Sequence, residues 1–417
     1  MNPVGRMMWW IWAAFGWVVW VVSWPVLRVM GLGRGEAAEN CRERLGILGG
    51  VPRGALWVHG ASVGEVNALG PFLKEAERHA GRGQIIVSAM TATGKRRARE
   101  AYRFATVALP LDTVPTMRRA LALASPRTVI IAETELWPAF ILAASRVSRL
   151  VWVNGRISDR SFPKYRLFLR PLMRFILSRF ELLCVISPLD AERVVALGAP
   201  RSRVRVLGNL KADLVVPARV PRGIPRGRWL VAGSTRPGEE AIVLEAFALT
   251  RKRFPGMRLC IAPRHLSRVA GIVELSERAG FRIARRSEGS AKARRSEVLV
   301  LDTHGELAPL YRMAETAFVG GTLVPVGGHN VLEPAAAGVP VLFGPHTANV
   351  RNESAGLVEA GGGFRISGSG TMAATLLRLM GSRAVGRRAG IRARNFVRSR
   401  QGVARRVAAL LAKEGLL

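Results

Sequence analysis

Three cysteines in 417 residues are too few for a disulfide framework. Two of them, Cys184 in LLCVIS and Cys260 in LCIAPR, sit in apolar strand-like runs and read as buried, reduced thiols, in keeping with the cytosol. Acid is scarce too: 29 Asp and Glu stand against 63 Lys and Arg, a formal net charge of +34. There is no GxxxxGK[ST], which excludes a P-loop, and no HExxH or paired CxxC, which removes those metal motifs. The six His are scattered, and no recognised nucleic-acid motif accompanies the basic charge. Glycine, at 44, has no three-residue period and so is not collagen-like. With 49% apolar and 22% charged residues, disorder is excluded as well.

What the chain does have begins at its N-terminus. Met7 to Leu27 carries no charge and contains six of the ten Trp. About 20 such residues span a bilayer, and Trp favours the membrane interface. A membrane anchor over 1–32 is the expectation. A cleaved signal peptide wants a small-residue cleavage site that is not there, and a buried or monotopic hairpin is the third option. Arg28, Arg34, Arg42 and Arg44 follow the segment and only Arg6 precedes it, which places the body in the cytoplasm. The charge excess itself points to nucleic acid, anionic lipid or a phosphorylated substrate, or else to Arg filling every free surface position. In RSFPKYRLFLRPLMRFILSRF (160–180) bases alternate with apolar residues, the pattern of a segment whose apolar side chains enter a lipid boundary.

From residue 55 apolar runs alternate with amphipathic stretches. ALWVHG, QIIVSAM, TVIIAET, LVWVNG and LLCVIS read as strands buried on both faces, with helices between them. Residues 214–228, rich in Pro and Gly, read as a linker. The alternation then resumes with WLVAGS, RLCIAPR, VLVLD, TAFVGG and PVLFGP. Two doubly wound α/β domains facing a cleft are predicted, at 33–213 and 229–395. A last helix over 396–417 is a candidate to cross back to the first domain.

The polar clusters fall just after strands, where such sheets bind ligands. In HGASVGEV, Gly60 and Gly64 are expected to let the chain turn tightly. Glu65 opens a helix whose dipole favours its ionised form. It reads as a general base or as a helix cap. Glu133 and Glu135 flank Thr134 at the next strand end, as functional acids or helix-start acids, and Lys211 in GNLKADL is poised for a leaving phosphate or simply solvated. In the second domain Arg264 of PRH suits bidentate phosphate contact. Glu306 starts a helix, and Gly327-Gly328-His329-Asn330 is expected to open another with free N–H groups for an anion. Glu333 lies one turn further in.

SVGE, ETELWP, NGRISDRSFPKY, GNLKAD, GSTRPGEE, PRH, GEL and VGGTLVPVGGHNVLEPAAAGVPVLFGPHTAN occur in an order that resembles the Kdo (3-deoxy-D-manno-octulosonic acid) transferases of lipopolysaccharide assembly. The resemblance runs to about residue 350. It implies a GT-B fold, a membrane anchor at the inner membrane, and inverting, metal-independent transfer with no cofactor. The donor would be CMP-β-Kdo and the acceptor the tetraacylated disaccharide bisphosphate precursor of lipid A. By the same motifs the base matches Glu65, and the transition-state residues match Glu133 and Lys211. The CMP contacts match Pro263, Arg264, His304, Gly305, Glu306, Asn330, Val331, Leu332 and Glu333. The chain departs from the family pattern at His304 (commonly Met), Val331 (usually Pro) and Gly155 (usually Ala). Another membrane-associated GT-B enzyme with a nucleotide-sugar donor, a nucleic-acid-binding protein and an inactive membrane scaffold are the competing classes. Absent-Asp-x-Asp chemistry argues against the metal-dependent nucleotide-sugar transferases of the other main fold.

Overall fold

The inner strands of both sheets alternate between opposite apolar layers. The computed structural model describes residues 3–33, 35–81, 83–217 and 219–417; Arg34, counted above among the flanking charges, lies outside them. The chain divides into two units, Met1–Leu214 with Gly402–Leu417, and Val215–Gln401.

In the first unit seven parallel strands run in the order β3-β2-β1-β4-β5-β6-β7. They are β1 Leu56–His59, β2 Ile85–Ala89, β3 Ala105–Ala108, β4 Thr128–Ala132, β5 Arg149–Gly155, β6 Leu182–Val185 and β7 Val204–Val206. Leu56 and Val58 join the core on one face, and Trp57 joins the core on the other. Burial on both faces explains the unbroken apolar runs. Buried indoles need a partner for their N–H: Trp57 Nε1 donates to Ser88 Oγ at 2.8 Å and Trp152 Nε1 to the Glu133 carbonyl. The helix Val403–Lys413 packs on the helix Val63–Ala80, and Val403, Val407 and Leu411 enter the same core as Leu69 and Phe72. Asp213 fixes its start by accepting from the N–H groups of Gly402 and Ala404, both at 2.6 Å.

The second unit repeats the plan with β8 Arg228–Thr235, β9 Met257–Pro263, β10 Ile283–Arg285, β11 Val298–Val300, β12 Ala314–Val319, β13 Val341–Phe343 and β14 Gly363–Arg365. All are parallel, in the order β10-β11-β9-β8-β12-β13-β14. Leu230 and Ala232 face one core, Trp229 and Val231 the other. The stretch read as a linker has no long regular element, yet it packs here: Val216 is buried, and Arg312 donates to the carbonyls of Val216 and Pro217. Strand order reverses between β1 and β4 in the first unit and between β8 and β12 in the second.

The N-terminal segment is one helix, Pro3–Gly31, and its part Trp12–Gly31 is long and apolar enough to cross a membrane. It also packs on its own unit: Ala13 is buried and Trp12 Nε1 donates to Asp112 Oδ2 at 3.3 Å. Trp10, Trp17, Val18, Val21, Val22 and Val29 remain exposed. The basic segment forms the helices Ser161–Leu167 and Arg170–Leu177. Here the expectation of a lipid-facing apolar side needs correction. Leu172, Met173, Ile176 and Leu177 fill the protein core, because they share one face of the second helix. Leu167 and Phe168, at the bend between the helices, are the apolar side chains left open, 74% and 69% exposed.

Candidate functional site

In the first unit the acids predicted from sequence converge at the strand-order reversal. Glu65 stands in the first turn of the helix after β1, and Glu133 and Glu135 follow β4. Ser62 caps that helix, and Glu65 Oε2 accepts from the Ala61 N–H at 2.5 Å. Glu65 therefore does cap local backbone, with one oxygen. Its ionisation runs opposite to the dipole argument. Burial, then the charges of Glu133 and Glu135, push its pKa up to about 7, against smaller opposing effects of the Ala61 N–H and Lys211. Gly60 sits in a close approach, since a Cβ there would lie 2.9 Å from Leu69 Cδ1 and 3.3 Å from Glu65 Cβ. Gly64 lies inside the helix, where a Cβ would make only an ordinary contact with Ser62 Oγ at 3.8 Å, and it takes no part in the turn.

Glu133 adopts a left-handed backbone, φ 53°, and so does Asn154 on the adjacent strand, φ 53°. Such residues persist only where their surroundings over-determine them, and they gather at functional sites. Lys211 Nζ lies 2.5 Å from Glu133 Oε1, while Asn154 Nδ2 faces the same oxygen at 3.5 Å and its Oδ1 accepts from the Leu210 N–H. Glu135 Oε2 accepts from Trp137 Nε1 at 2.7 Å and faces the buried His59 Nε2 at 3.9 Å. Burial pushes the Glu135 carboxyl up, but His59 and the Trp137 N–H outweigh it and hold it below the ordinary value. The sequence reading did not single out His59 or Asn154 for a role. Their signal was position at a strand end, in HG and NG.

The second unit holds the residues matched to nucleotide contacts. Pro263 ends β9 and Arg264 follows it, exposed. His304 and Gly305 are exposed, the latter at φ 83°. Glu306 is engaged by Arg286, 2.9 Å away, and by the Thr303 hydroxyl. Asn330 Nδ2 donates to Glu333 Oε1 at 3.1 Å. Val331 and Leu332 are buried side chains, so only their backbone can meet a ligand. The expected helix-start anion site does not form as read. The helix is short, Leu332–Ala337, and its Leu332 N–H is taken by Asn330 Oδ1. The N–H groups of Gly328 and His329 are used by the carbonyls of Gly321 and Gly320.

A residue that sequence reading passed over organises this region. Glu239, fully buried in the first turn after β8, accepts from the N–H groups of Arg236, Gly321, Thr322 and Leu323 at 2.7–3.0 Å. It ties the loop after β12 to the end of β8. Gly320 belongs to that loop because a Cβ would meet Ser234 O at 2.5 Å. Cys184 and Cys260 are buried free thiols, which burial pushes up to about 12. Among the described residues no three His, Cys, Asp or Glu are grouped to hold a metal ion.

Residues 39–214 match the family described as 3-Deoxy-D-manno-octulosonic-acid transferase (kdotransferase). A 3-deoxy-D-manno-octulosonic acid transferase of Haemophilus influenzae is 31% identical over 343 residues, 79% of this chain and 80% of that one. A bifunctional glycosyltransferase/methyltransferase of Fusobacterium nucleatum is 34% identical over 327 residues, 75% of this chain; the match spans half the length of that relative. Among solved structures, a putative UDP-N-acetylglucosamine 2-epimerase from Listeria monocytogenes has a TM-score of 0.60 at 13% identity. It covers 88% of this chain and 98% of that one, a likeness of fold alone. The two parallel-sheet α/β domains are of the GT-B kind. The chain belongs to the 3-deoxy-D-manno-octulosonic acid transferases, a family of glycosyltransferases.

Proposed function

We propose that the chain transfers Kdo from CMP-β-Kdo to the tetraacylated disaccharide bisphosphate precursor of lipid A, in one inverting, metal-independent displacement. The observation that carries this reading is Glu65, a carboxyl raised to about 7 beside the Glu133–Lys211 pair at the reversal point of the first sheet. A general base works best with a pKa near the operating pH. Glu65 takes the proton from an acceptor hydroxyl as its oxygen attacks the anomeric carbon. Taking that proton also relieves repulsion with Glu133 and Glu135, which favours the transfer. Glu133 and Lys211 stabilise charge at the reacting centre. Arg264, Glu306, Asn330 and Glu333 bind the CMP portion, with the backbone at Pro263, Gly305, Val331 and Leu332 and the side chain of His304. Proton transfer contributes about 10²–10⁴-fold, so positioning and electrostatics supply the rest.

The helix Pro3–Gly31 attaches the enzyme to the cytoplasmic face of the inner membrane. Its exposed Trp and Val side chains support this, as do Leu167 and Phe168 amid Lys164, Arg166, Arg170 and Arg174. The deciding experiment is mass spectrometry of the product formed from CMP-Kdo and the lipid A precursor, with UDP-sugars run in parallel. Sugar incorporated from a UDP donor, and none from CMP-Kdo, overturns the reading.

A further inference from the structure

The second unit holds a cation whose guanidinium is hydrogen-bonded to no carboxylate among the described residues. Arg228, Arg251, Arg268 and Arg286 of this unit each reach a carboxylate at 2.7–2.9 Å. Arg236, the first residue after β8, has no such partner among the described residues. The nearby acid Glu239 is saturated by four backbone N–H groups. Two imidazoles hold the guanidinium instead: Arg236 Nε donates to His329 Nε2 at 3.1 Å, and one Nη lies 3.0 Å from His265 Nε2. A guanidinium has no acceptor, so each ring nitrogen facing it must be unprotonated. Burial, then the charges of Arg264 and Arg236, pushes His329 down to about 4, so at neutral pH it is the neutral acceptor this geometry needs. The imidazoles thus fix the plane of Arg236 without neutralising it, and the only acid among the described residues close enough to act on it, Glu239, does so through space.

The place is as informative as the charge. Arg236 leaves β8 and His329 lies in the loop after β12, the two strands between which the sheet order reverses. Open α/β sheets bind ligands at that point. Arg264, after the neighbouring β9, is close enough to help depress the pKa of Arg236, though burial does more. Two guanidiniums that feel each other's charge, neither hydrogen-bonded to a carboxylate among the described residues, suit a ligand with two adjacent anionic groups. An octulosonic acid linked through its anomeric carbon to CMP is such a ligand, because its carboxylate sits on the carbon that bears the phosphate. With Nε and one Nη N–H directed at histidines, the end of the Arg236 guanidinium still offers a fork of two N–H groups. That fork matches a planar carboxylate.

We propose that Arg236, oriented by His265 and His329, binds the carboxylate of the donor sugar acid and leaves Arg264 to the phosphate. This rests on the donor reading given above. The test is titration calorimetry of the full chain with CMP and with CMP-Kdo, with turnover measured on the same preparations. In Arg236→Gln, affinity for CMP-Kdo falls about tenfold or more, the loss of one charge-assisted hydrogen bond or more, while affinity for CMP stays within about twofold of wild type. Retained CMP binding reports an intact fold. Arg264→Gln lowers affinity for both ligands. His265→Gln, at an exposed position, weakens CMP-Kdo selectively and by less than Arg236→Gln. Equal loss of both ligands in Arg236→Gln assigns Arg236 to the phosphate and overturns the proposal, and so does unchanged CMP-Kdo affinity. If wild type turns over CMP-Kdo and Arg236→Gln binds it equally well, the carboxylate assignment alone fails. If wild type neither binds nor turns over CMP-Kdo, the donor reading fails and this inference with it.

Discussion

Lys211 and Glu133 form an ion pair, Nζ to Oε1 2.5 Å, in which the two partners act on Glu65 in opposite senses: the carboxylate raises its pKa and the ammonium lowers it. The pair is thus a setting for the acidity of a third residue as well as a local contact.

Glu65→Gln keeps the cap on Ala61 within reach of an amide oxygen and removes the base. Transfer is expected to fall about 10²-fold or more with CMP affinity unchanged. A variant that keeps more than about a tenth of the wild-type rate removes Glu65 from that role.

The pH profile carries the sign. A base must be deprotonated, so kcat/KM rises with pH and levels off above about 7. Glu135→Gln removes a raising charge and moves the limb to lower pH, whereas Lys211→Met removes a lowering one and moves it up. Stability runs the other way. The folded chain holds a proton that the unfolded chain has released between about pH 4.5 and 7, so this group's contribution falls as pH rises through that window.

Arg264→Ala and Glu333→Ala weaken CMP binding in calorimetry and leave acceptor binding nearly unchanged. Unaltered CMP affinity in both variants sinks their assignment to the nucleotide.

Lys164, Arg166, Arg170 and Arg174 all project from the surface. Exchanging the four for Ser in the full chain lowers affinity for anionic vesicles, at about 1 kcal/mol per cation near the surface. Wild-type binding falls with added salt. Sedimentation with neutral and anionic vesicles measures it, and equal binding to both denies the patch a role.

Asp213→Ala leaves the N–H groups of Gly402 and Ala404 without their acceptor. A lost helix-start acceptor costs about 0.5–2 kcal/mol, which a lower thermal midpoint reports.

The strands missed in sequence share one property. Ala105–Ala108, Val204–Val206, Ile283–Arg285 and Gly363–Arg365 are the edges of the two sheets. They are three or four residues long and only partly covered, so they lack the Val/Ile/Leu runs that marked the inner strands. The positions of the candidate residues were legible where a chemical group stood soon after an inner strand, as with Glu65, Glu133 and Arg264. The site was not legible where function depends on who pairs with whom. Nothing local in GSTRPGEE says that Glu239 is spent on the loop 320–323, or that Arg236 is held by His265 and His329. The basic helices misled because one period served both solvent and core: Arg174 points out and Met173 in.

The helix Val403–Lys413 completes a core begun by Leu56 and Leu69. During synthesis the first sheet emerges early, but one of the helices that complete this core arrives only after the whole second unit has been made. Val215–Gln401, by contrast, closes on its own cores. A nascent chain halted before Gly402 leaves uncovered the side of the helix Val63–Ala80 that Val403–Lys413 packs against. The second unit is the natural choice for separate expression, whereas the first draws part of its core from its distant final helix.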